Sequence, residues 1–289
     1  LELGPSLLGP LLQRVAMGCD RAGHRSPVGG SPLGIGVEAA ADERDELGAR
    51  LPNARLLWVN NGKIWYSPVA DFSPQKISGA LDEWRPRWSP DGTRILSGAS
   101  DGTLKLWDAQ SGQPMQTLQS HDFSVHSVAF SPDGKTLASS HQDGTVKLWD
   151  VATGENVLWK VRLPNWSNGG PIVADGRVYV MSEPLTGLPT LHCIDADSGA
   201  MLWRKGLVVV GPRTEPAEPM EDTGYAAPTA ATDGRRVYVT FASGRVAAFD
   251  DEGTQLWLRS FGPLDNIYGH SSSLAIFEDR VFVQLDHGY

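Results

Sequence analysis

The chain has 289 residues, of which 40% are hydrophobic and 20% charged, and its formal net charge is −9. A chain of this length can bury a sizeable core as one large domain or two smaller ones. The acidic balance, without a run of clustered Lys and Arg, argues against a nucleic-acid partner, and no apolar stretch is long enough to predict a transmembrane segment. Cys19 and Cys193 lie far apart without metal-ligand spacing, so neither a disulfide framework nor a zinc site is predicted.

Residues 1–50 are rich in Gly, Pro and Ala and show no strand periodicity. We predict that they form a flexible or disordered extension. The segment Ala16-Met17-Gly18-Cys19 is loosely similar to a lipoprotein processing site. Because the basic flank of a signal segment is missing, we favour a chance occurrence.

Residues 51–289 are predicted to form an all-β domain. Short β-branched and aromatic runs alternate with Asp-Gly, Asn-Gly and Ser-Pro-Asp-Gly turns, and helical periodicity is absent. The predicted strands are Leu56–Val59, Ile64–Pro68, Arg94–Ser97, Leu104–Trp107, Val125–Phe130, Thr136–Ser139, Val146–Trp149, Ile172–Ala174, Arg177–Met181, Leu191–Asp195, Arg236–Phe241, Val246–Phe249, Leu274–Phe277 and Arg280–Gln284.

Two segments of this domain are near-copies of one another. Residues 87–92 match residues 129–134, residues 101–108 match residues 143–150, and both offsets are 42 residues. A fixed period in this range indicates stacked supersecondary units. In each Ser-Pro-Asp-Gly turn, proline presets φ, the Asp side chain bonds its own backbone and Gly takes the position that needs φ > 0. Each such turn should therefore join adjacent antiparallel strands.

The stretch from about 87 to 150 resembles two WD-repeat blades, which implies a β-propeller with four antiparallel strands per blade. That family locks a blade with a hydrogen-bonded His, Ser, Asp and Trp, because a buried indole N–H, hydroxyl and imidazole each need a partner. The resemblance assigns these roles to His121, Ser139, Asp143 and Trp149, and in the preceding blade to Ser97, Asp101 and Trp107. Gly79 stands where the first of these blades would carry its histidine.

Three later segments begin at Asp150, Asp195 and Asp250 and resemble the Asp-x-x-Thr-Gly-x-x-x-Trp repeat of pyrroloquinoline-quinone (PQQ) propellers. In that family the Trp docks between neighbouring blades and the Gly permits close approach. The resemblance assigns blade docking to Trp159, Trp203, Trp257, Gly154, Gly199 and Gly253. Since residues 61–66 and 82–92 also resemble the Tol-system propeller, we assign 51–150 to WD-repeat and Tol-like blades and 151–289 to quinoprotein-like blades.

About five blades are expected, four of them near 88–118, 125–162, 171–207 and 226–260, with partial blades at both ends. A propeller must close on itself, because an open end leaves unpaired strand edges. Either the two partial blades join, or the chain is a fragment of a larger propeller. The start at Leu1 and the end at Tyr289, inside a repeat, favour a fragment.

Quinoprotein dehydrogenases, which the second half resembles, use the quinone with Ca²⁺, an Asp base and a disulfide between adjacent cysteines. Cys193 has no adjacent Cys, and Asp195 and Asp197 lie in the turn of the repeat itself. His270 and Ser271 would point to opposite faces of a strand. We therefore expect no catalytic residue, no metal site, and neither PQQ nor calcium as a cofactor.

The expected function is a non-enzymatic scaffold whose propeller loops bind other proteins, akin to the propeller lipoprotein of the outer-membrane assembly machinery. Residues 181–189 and 211–222 lengthen two connections and are the favoured binding loops. The alternative is a quinone-dependent dehydrogenase. WD-type blades favour the cytoplasm and quinoprotein-like blades the periplasm, and we slightly favour the periplasm or cell envelope.

Overall fold

The structure is a computed structural model that describes residues 55–60, 63–68, 75–77, 83–119, 123–153, 157–164, 169–182, 189–206, 228–241, 244–261, 273–277 and 280–283. The predicted extension over residues 1–50 lies outside these ranges. The regular elements that they contain are β-strands, and they include no helix long and apolar enough to cross a membrane. The chain divides into two compact units, Leu1–Pro86 and Arg87–Tyr289.

The first unit contains a small antiparallel sheet. Its strands are β1 (Arg55–Asn60), β2 (Lys63–Pro68) and β3 (Gln75–Lys76), in the order β1-β2-β3. The side chains of Ile64 and Ser67 are buried, and the Ile77 amide donates to the Ile64 carbonyl at 2.9 Å. The predicted strand pair at 56–59 and 64–68 is therefore present.

Four-stranded sheets make up most of the second unit, and the first strand of this series crosses the boundary between the units. Each sheet is called a blade here. The strands of blade 1 are β4 (Glu83–Trp88), β5 (Arg94–Ala99), β6 (Thr103–Asp108) and β7 (Pro114–Gln119), and those of blade 2 are β8 (Val125–Phe130), β9 (Thr136–His141), β10 (Thr145–Asp150) and β11 (Val157–Arg162).

Two further blades follow the same plan. The strands of blade 3 are β12 (Ile172–Ala174), β13 (Arg177–Ser182), β14 (Thr190–Asp195) and β15 (Met201–Gly206), and those of blade 4 are β16 (Ala231–Thr232), β17 (Arg236–Phe241), β18 (Arg245–Asp250) and β19 (Gln255–Ser260). A two-stranded sheet of β20 (Ala275–Phe277) and β21 (Arg280–Phe282) comes last. Neighbouring strands pair in sequence order and antiparallel, which confirms the predicted propeller of four-stranded antiparallel blades.

The turn chemistry of the repeated segment follows the sequence pattern. Gly92 and Gly134 both have φ of 69°, in the left-handed region that favours glycine. The Asp91 carboxylate accepts hydrogen bonds from the Ser89 hydroxyl at 2.5 Å and the Thr93 amide at 3.0 Å, and these bonds lower its pKa to about 2. Each turn is thus closed by its own side chains.

The hydrophobic core lies between successive blades rather than in one central cluster. Both faces of a middle strand are buried, so residues of alternating phase contact the preceding and the following blade. Between blades 1 and 2 the cluster includes Leu96, Leu104, Val128, Leu137 and Trp149; between blades 2 and 3 it includes Ala138, Leu148, Trp159, Val178 and Ile194; between blades 3 and 4 it includes Tyr179, Met181, Leu191, Val239 and Phe249.

Every outermost strand of these blades contains a β-bulge at the same place. In blade 2, Trp149 pairs with Val157 and Leu148 with Trp159, so Leu158 is the extra residue. The corresponding extra residues are Met115 in blade 1, Leu202 in blade 3 and Leu256 in blade 4. Bulges of this kind bend a strand locally and re-aim a side chain.

The outermost strands β7, β11, β15 and β19 are missing from the predicted strand set, although the predicted blade limits enclose them. Their side chains are mostly exposed, and in β15 only Trp203 is partly covered. Strands of this kind lack the run of buried β-branched residues on which recognition from sequence depends.

The tight contact between blades 1 and 2 provides a test of this packing. A Cβ on Gly98 would lie 2.6 Å from Val125 Cγ1, so Gly98→Ala should lower the free energy of unfolding by about 1–3 kcal/mol through overpacking. Urea unfolding of Gly98→Ala, Val125→Ala and the double variant measures the coupling. The double variant should lose less than the sum of the single losses, and simple additivity would contradict the packing account.

Candidate functional site

Blades 1 and 2 each contain a hydrogen bond between a buried tryptophan and a serine on the neighbouring strand. Trp107 Nε1 donates to Ser97 Oγ at 2.9 Å, and Trp149 Nε1 donates to Ser139 Oγ at 2.9 Å. The Ser139 hydroxyl also lies 2.8 Å from His141 Nε2. We call this Trp–Ser contact the inner lock, because it ties two strands of one blade together.

The partner of Ser139 is a histidine that sequence reasoning did not select. His121 lies outside the described residues, and the described partner His141 stands two residues beyond Ser139 on β9. Burial lowers the pKa of His141 to about 4, so its ring is neutral at pH 7. The neutral Nε2 can then accept a hydrogen bond from the Ser139 hydroxyl, while Ser139 Oγ accepts one from the indole N–H.

The two aspartates assigned to the tetrad bond their own turns. Asp101 accepts the Thr103 amide at 3.0 Å and the Thr103 hydroxyl at 2.7 Å. Asp143 does the same with Thr145, at 3.0 Å and 2.6 Å. Burial alone would raise the pKa of Asp143, but these bonds and the nearby His141 hold it below its usual value. The tetrad as a four-residue network therefore stays a prediction.

Blades 3 and 4 replace the inner lock with apolar contacts. Where blade 2 has Trp149 opposite Leu137, blade 3 has Ile194 opposite Val178 and blade 4 has Phe249 opposite Val237. A different pair appears in blade 3, where Ser182 Oγ lies 2.7 Å from His192 Nε2.

Tryptophans of the outermost strands form a second contact, which ties one blade to the next. Trp159 Nε1 donates to the Ala196 carbonyl at 2.7 Å, and Trp203 Nε1 donates to the Asp251 carbonyl at 2.9 Å. Both acceptors lie in the turn before the outermost strand of the following blade. We call this contact the outer lock.

Each outer lock rests on a glycine. A Cβ on Gly199 would lie 2.7 Å from Trp159 Cγ, and one on Gly253 would lie 2.8 Å from Trp203 Cδ2. Trp257 is partly buried and tilted against Tyr238 with 6.0 Å between ring centroids. Gly154 lies outside the described residues. The blade-docking role of the six assigned residues stays a prediction, which the first experiment below addresses.

Blade 1 carries a glutamine where the other outermost strands carry the tryptophan. Gln116 pairs with Leu106 as Trp159 pairs with Leu148, so the two residues occupy equivalent positions. The Gln116 Nε2 donates to the Thr153 carbonyl of blade 2 at 3.3 Å. Sequence reasoning missed Gln116, although alignment of β7 with β15 by distance from the preceding Asp would have found it, since Gln116 follows Asp108 and Trp203 follows Asp195 at the same spacing.

The serine–histidine pair, the cysteine and the turn aspartate of blade 3 are buried or hydrogen-bonded. Ser182 and His192 are each about 1% exposed, so no substrate can reach this serine and histidine. Burial raises the pKa of the Cys193 thiol to about 11, which keeps it protonated. The Asp195 carboxylate accepts from the Ser198 hydroxyl at 2.5 Å and amide at 2.8 Å, and the described residues contain no group of three or more potential metal ligands.

The exposed large apolar residues concentrate on the outermost strands. The four bulge residues are all of this type: Met115 is 58% exposed, Leu158 49%, Leu202 47% and Leu256 45%. Val157 and Met201 add to the set. Exposed apolar groups that recur at one place are typical of protein-interaction surfaces. Of the two predicted binding loops, residues 183–188 of the loop at 181–189 and all of 211–222 lie outside the described residues, as do His270 and Ser271.

The outer lock can be tested with two glycines that share one backbone conformation. Gly199 has φ of 71° and Gly176 has φ of 69°, but a Cβ on Gly176 would meet nothing within 4 Å. Gly176→Ala should therefore lower the free energy of unfolding by about 1–2 kcal/mol, the cost of an alanine in the left-handed conformation. Gly199→Ala should lower it by about 1–3 kcal/mol more, because its Cβ also clashes with Trp159. Urea unfolding measures both. In a Trp159→Ala background the excess cost of Gly199→Ala should become smaller, because only the Cβ of residue 159 remains close, at 2.9 Å, and an undiminished excess would contradict the lock.

The buried histidines predict a pH dependence of stability. Burial lowers the pKa of both His141 and His192 from 6.5 to about 4. Between these values the unfolded chain binds protons that the folded chain does not, so the free energy of unfolding falls as pH falls, by about 2 kcal/mol per histidine between pH 7 and pH 5. Urea titrations at both pH values check this. His192→Gln should remove about half of the loss, and an unchanged loss would refute the assignment.

Solved structures with the same fold include one from a bacterium and one from a fungus. BamB from Moraxella catarrhalis has a TM-score of 0.56 and 16% identity, over 80% of this chain and 64% of that chain. The Cps50 (Swd1) β-propeller domain of Myceliophteria thermophila has a TM-score of 0.55 and 19% identity, over 72% of this chain and 65% of that chain. These similarities show the propeller fold.

Curated proteins match only a short part of the chain. The nuclear distribution protein PAC1 of Coprinopsis cinerea is 49% identical over 68 residues, which are 23% of this chain and 15% of that protein. PAC1 of Mycosarcoma maydis is 38% identical over 71 residues, 22% of this chain and 15% of that protein. The chain thus spans a small part of these relatives and about two thirds of the solved propellers.

Family models recognise both kinds of repeat. The model of the WD domain, G-beta repeat, matches residues 79–108. The model described as outer membrane protein assembly factor BamB, which is built on PQQ-like repeats, matches residues 99–257 and 142–288. These matches confirm the predicted combination of WD-repeat and PQQ-like blades. Since the second model matches more than half of the chain, the protein belongs to the family of outer membrane protein assembly factor BamB.

Proposed function

We propose that this chain is a non-enzymatic scaffold that binds other proteins during outer-membrane protein assembly. The proposal draws its general class from the propeller fold and its specific role from the family to which the chain belongs. The chain covers 64% of the solved BamB chain, so the partners of the whole protein are part of the proposal.

One observation supports this function most directly. The groups that would carry chemistry in the described blades are used to hold the structure: Asp195 closes its turn, and Ser182 and His192 are buried against each other. In addition, a large apolar side chain is exposed at the same position of each of the four described outermost strands. This arrangement favours contact with another macromolecule over turnover of a small substrate.

We further propose the periplasm or cell envelope as the compartment. The family description names an outer-membrane assembly factor, and the matches to that family cover residues 99–288. The buried thiol of Cys193 is compatible with an oxidising compartment because burial and its raised pKa protect it from reaction.

Complementation tests this role. The chain, directed to the periplasm of a bacterium that lacks its own BamB, should restore the amount of folded outer-membrane β-barrel protein, measured by its heat-modifiable mobility in gels. The same chain retained in the cytoplasm is the matched control and should restore nothing. Periplasmic accumulation without restoration would refute the proposed role.

The alternative of a quinone-dependent dehydrogenase is tested with the purified chain. Calorimetric titration with PQQ and Ca²⁺ should give no saturable heat, and addition of an alcohol or a sugar should produce no dye reduction. Saturable binding accompanied by dye-linked oxidation would replace the scaffold by an enzyme.

A further inference from the structure

The outer edge of blade 2 has an unusual composition. The sheet order ends at β11, and the pattern of exposure along this strand alternates. Trp159 and Val161 pack into the cluster between blades 2 and 3, whereas Leu158, Lys160 and Arg162 are exposed. Because strand side chains alternate between faces, the three exposed side chains form one line: an apolar group followed by two cations.

The cations of this line have no ion-pair partner among the described residues. The described ion pairs join Lys135 to Asp133 and Arg177 to Asp251, away from β11. Lys160 helps to lower the pKa of the Asp143 carboxyl. Burial, which raises that pKa, and the hydrogen bonds from Thr145, which lower it, both have larger effects. In a chain of net charge −9, two adjacent cations on a strand edge are a local departure from the overall balance.

Positive charge and a bulge on a sheet edge also serve to prevent pairing between copies of a protein. That purpose accounts for Lys160, Arg162 and the bulge itself. It does not account for the bulge residue, because a guarded edge gains nothing from a leucine that is 49% exposed. The same position holds a large apolar residue in all four described blades. An apolar anchor beside cations instead suits a partner of opposite charge.

We propose that the outer edge of β11 is a docking strand for an extended segment of a partner protein that carries two acidic side chains and then an apolar one at every second position, so that all three lie on one face. The segment would add to blade 2 as a fifth antiparallel strand, with its backbone paired to β11. Its apolar side chain would lie on Leu158 and its carboxylates opposite Lys160 and Arg162. This inference rests on the proposed scaffold function and names the surface and the chemistry of the partner.

The other blades supply a natural series for comparison. Blade 1 has the same bulge, and its bulge residue Met115 is apolar like Leu158 of blade 2. Thr117 stands in blade 1 at the position that Lys160 has in blade 2. In blade 3, Arg204 is the one cation on the corresponding face, and in blade 4 Leu258 stands at that position. The edges should therefore bind an acidic segment in the order blade 2, blade 3, then blades 1 and 4.

The test uses a fluorescein-labelled eight-residue peptide that contains Glu-Thr-Glu-Thr-Val, which places both Glu and the Val on one face of a strand, with Lys-Thr-Lys-Thr-Val in the matched peptide. Anisotropy measures binding to the full chain, and amide hydrogen exchange locates it. The acidic peptide should slow exchange in residues 157–162. Lys160→Thr, which copies blade 1, should weaken binding about three- to fivefold, as expected for one exposed ion pair.

The reverse exchange gives a gain of function. Thr117→Lys should create protection by the acidic peptide in residues 114–119, where the unaltered chain shows none. Both substitutions change exposed side chains, so melting temperatures within a few degrees of the unaltered chain are expected and verify the fold. Leu158→Ser should weaken binding while leaving its salt dependence unchanged, because it removes the apolar anchor alone.

Several results would overturn the docking strand. These are equal binding of the peptide with Lys in place of Glu, stronger protection at another strand than at residues 157–162, binding to anionic phospholipid vesicles at β11 in place of the peptide, or self-association of the chain through this edge. Peptide binding and complementation by the unaltered chain together separate the two proposals. If the peptide fails to bind and the unaltered chain complements, the docking strand is wrong and the scaffold stands; if the peptide binds and the unaltered chain fails to complement, the assembly role is wrong.

Discussion

The need of each buried indole N–H for an acceptor governs how these blades hold together. An apolar ring can be buried anywhere in the stack, but its N–H must find a partner or cost roughly 1–3 kcal/mol. The chain meets this requirement in two ways: Trp149 bonds Ser139 within its own blade, and Trp159 bonds the Ala196 carbonyl of the next. The first joins two strands, and the second joins two sheets. The positions of Gly199 and Gly253, which leave room for Trp159 and Trp203, follow from the second contact.

Blade 2 is the one described blade in which both locks are observed. Blade 1 has the inner lock and only a glutamine in place of the outer one, while blade 3 has the outer lock and an isoleucine in place of the inner tryptophan. The change from WD-type to PQQ-like sequence is thus a change in which strand carries the indole. Both sequence types keep the same strand pairing, because the apolar substitutes fill the same space between blades.

The sequence was most informative where backbone geometry demands a residue type. Asp91 and Gly92 are needed to close a turn, so the turns and the strands beside them could be predicted. The outermost strands could not be predicted, because most of their side chains face solvent and their sequence of polar and apolar residues resembles that of a loop. Gln116 was missed because a glutamine there makes the contact to the next blade that a tryptophan makes in blades 2 and 3. His141 was missed because a histidine that bonds a serine of its own strand has no characteristic spacing in the sequence. Assignment of a contact residue on a strand requires knowledge of the face on which its side chain lies. A β-bulge shifts the alternation of faces, so that the face cannot be counted from the sequence alone.

The outer lock uses a main-chain carbonyl as its acceptor. Every residue of any sequence supplies such a carbonyl, so the receiving blade has to provide little beyond a turn of the right shape and, at Gly199 or Gly253, the absence of a side chain. A blade with this turn therefore needs no particular side chain to accept the tryptophan of the blade before it. The same kind of junction is present from blade 2 to blade 3 and from blade 3 to blade 4, although different apolar residues fill the space between these blades.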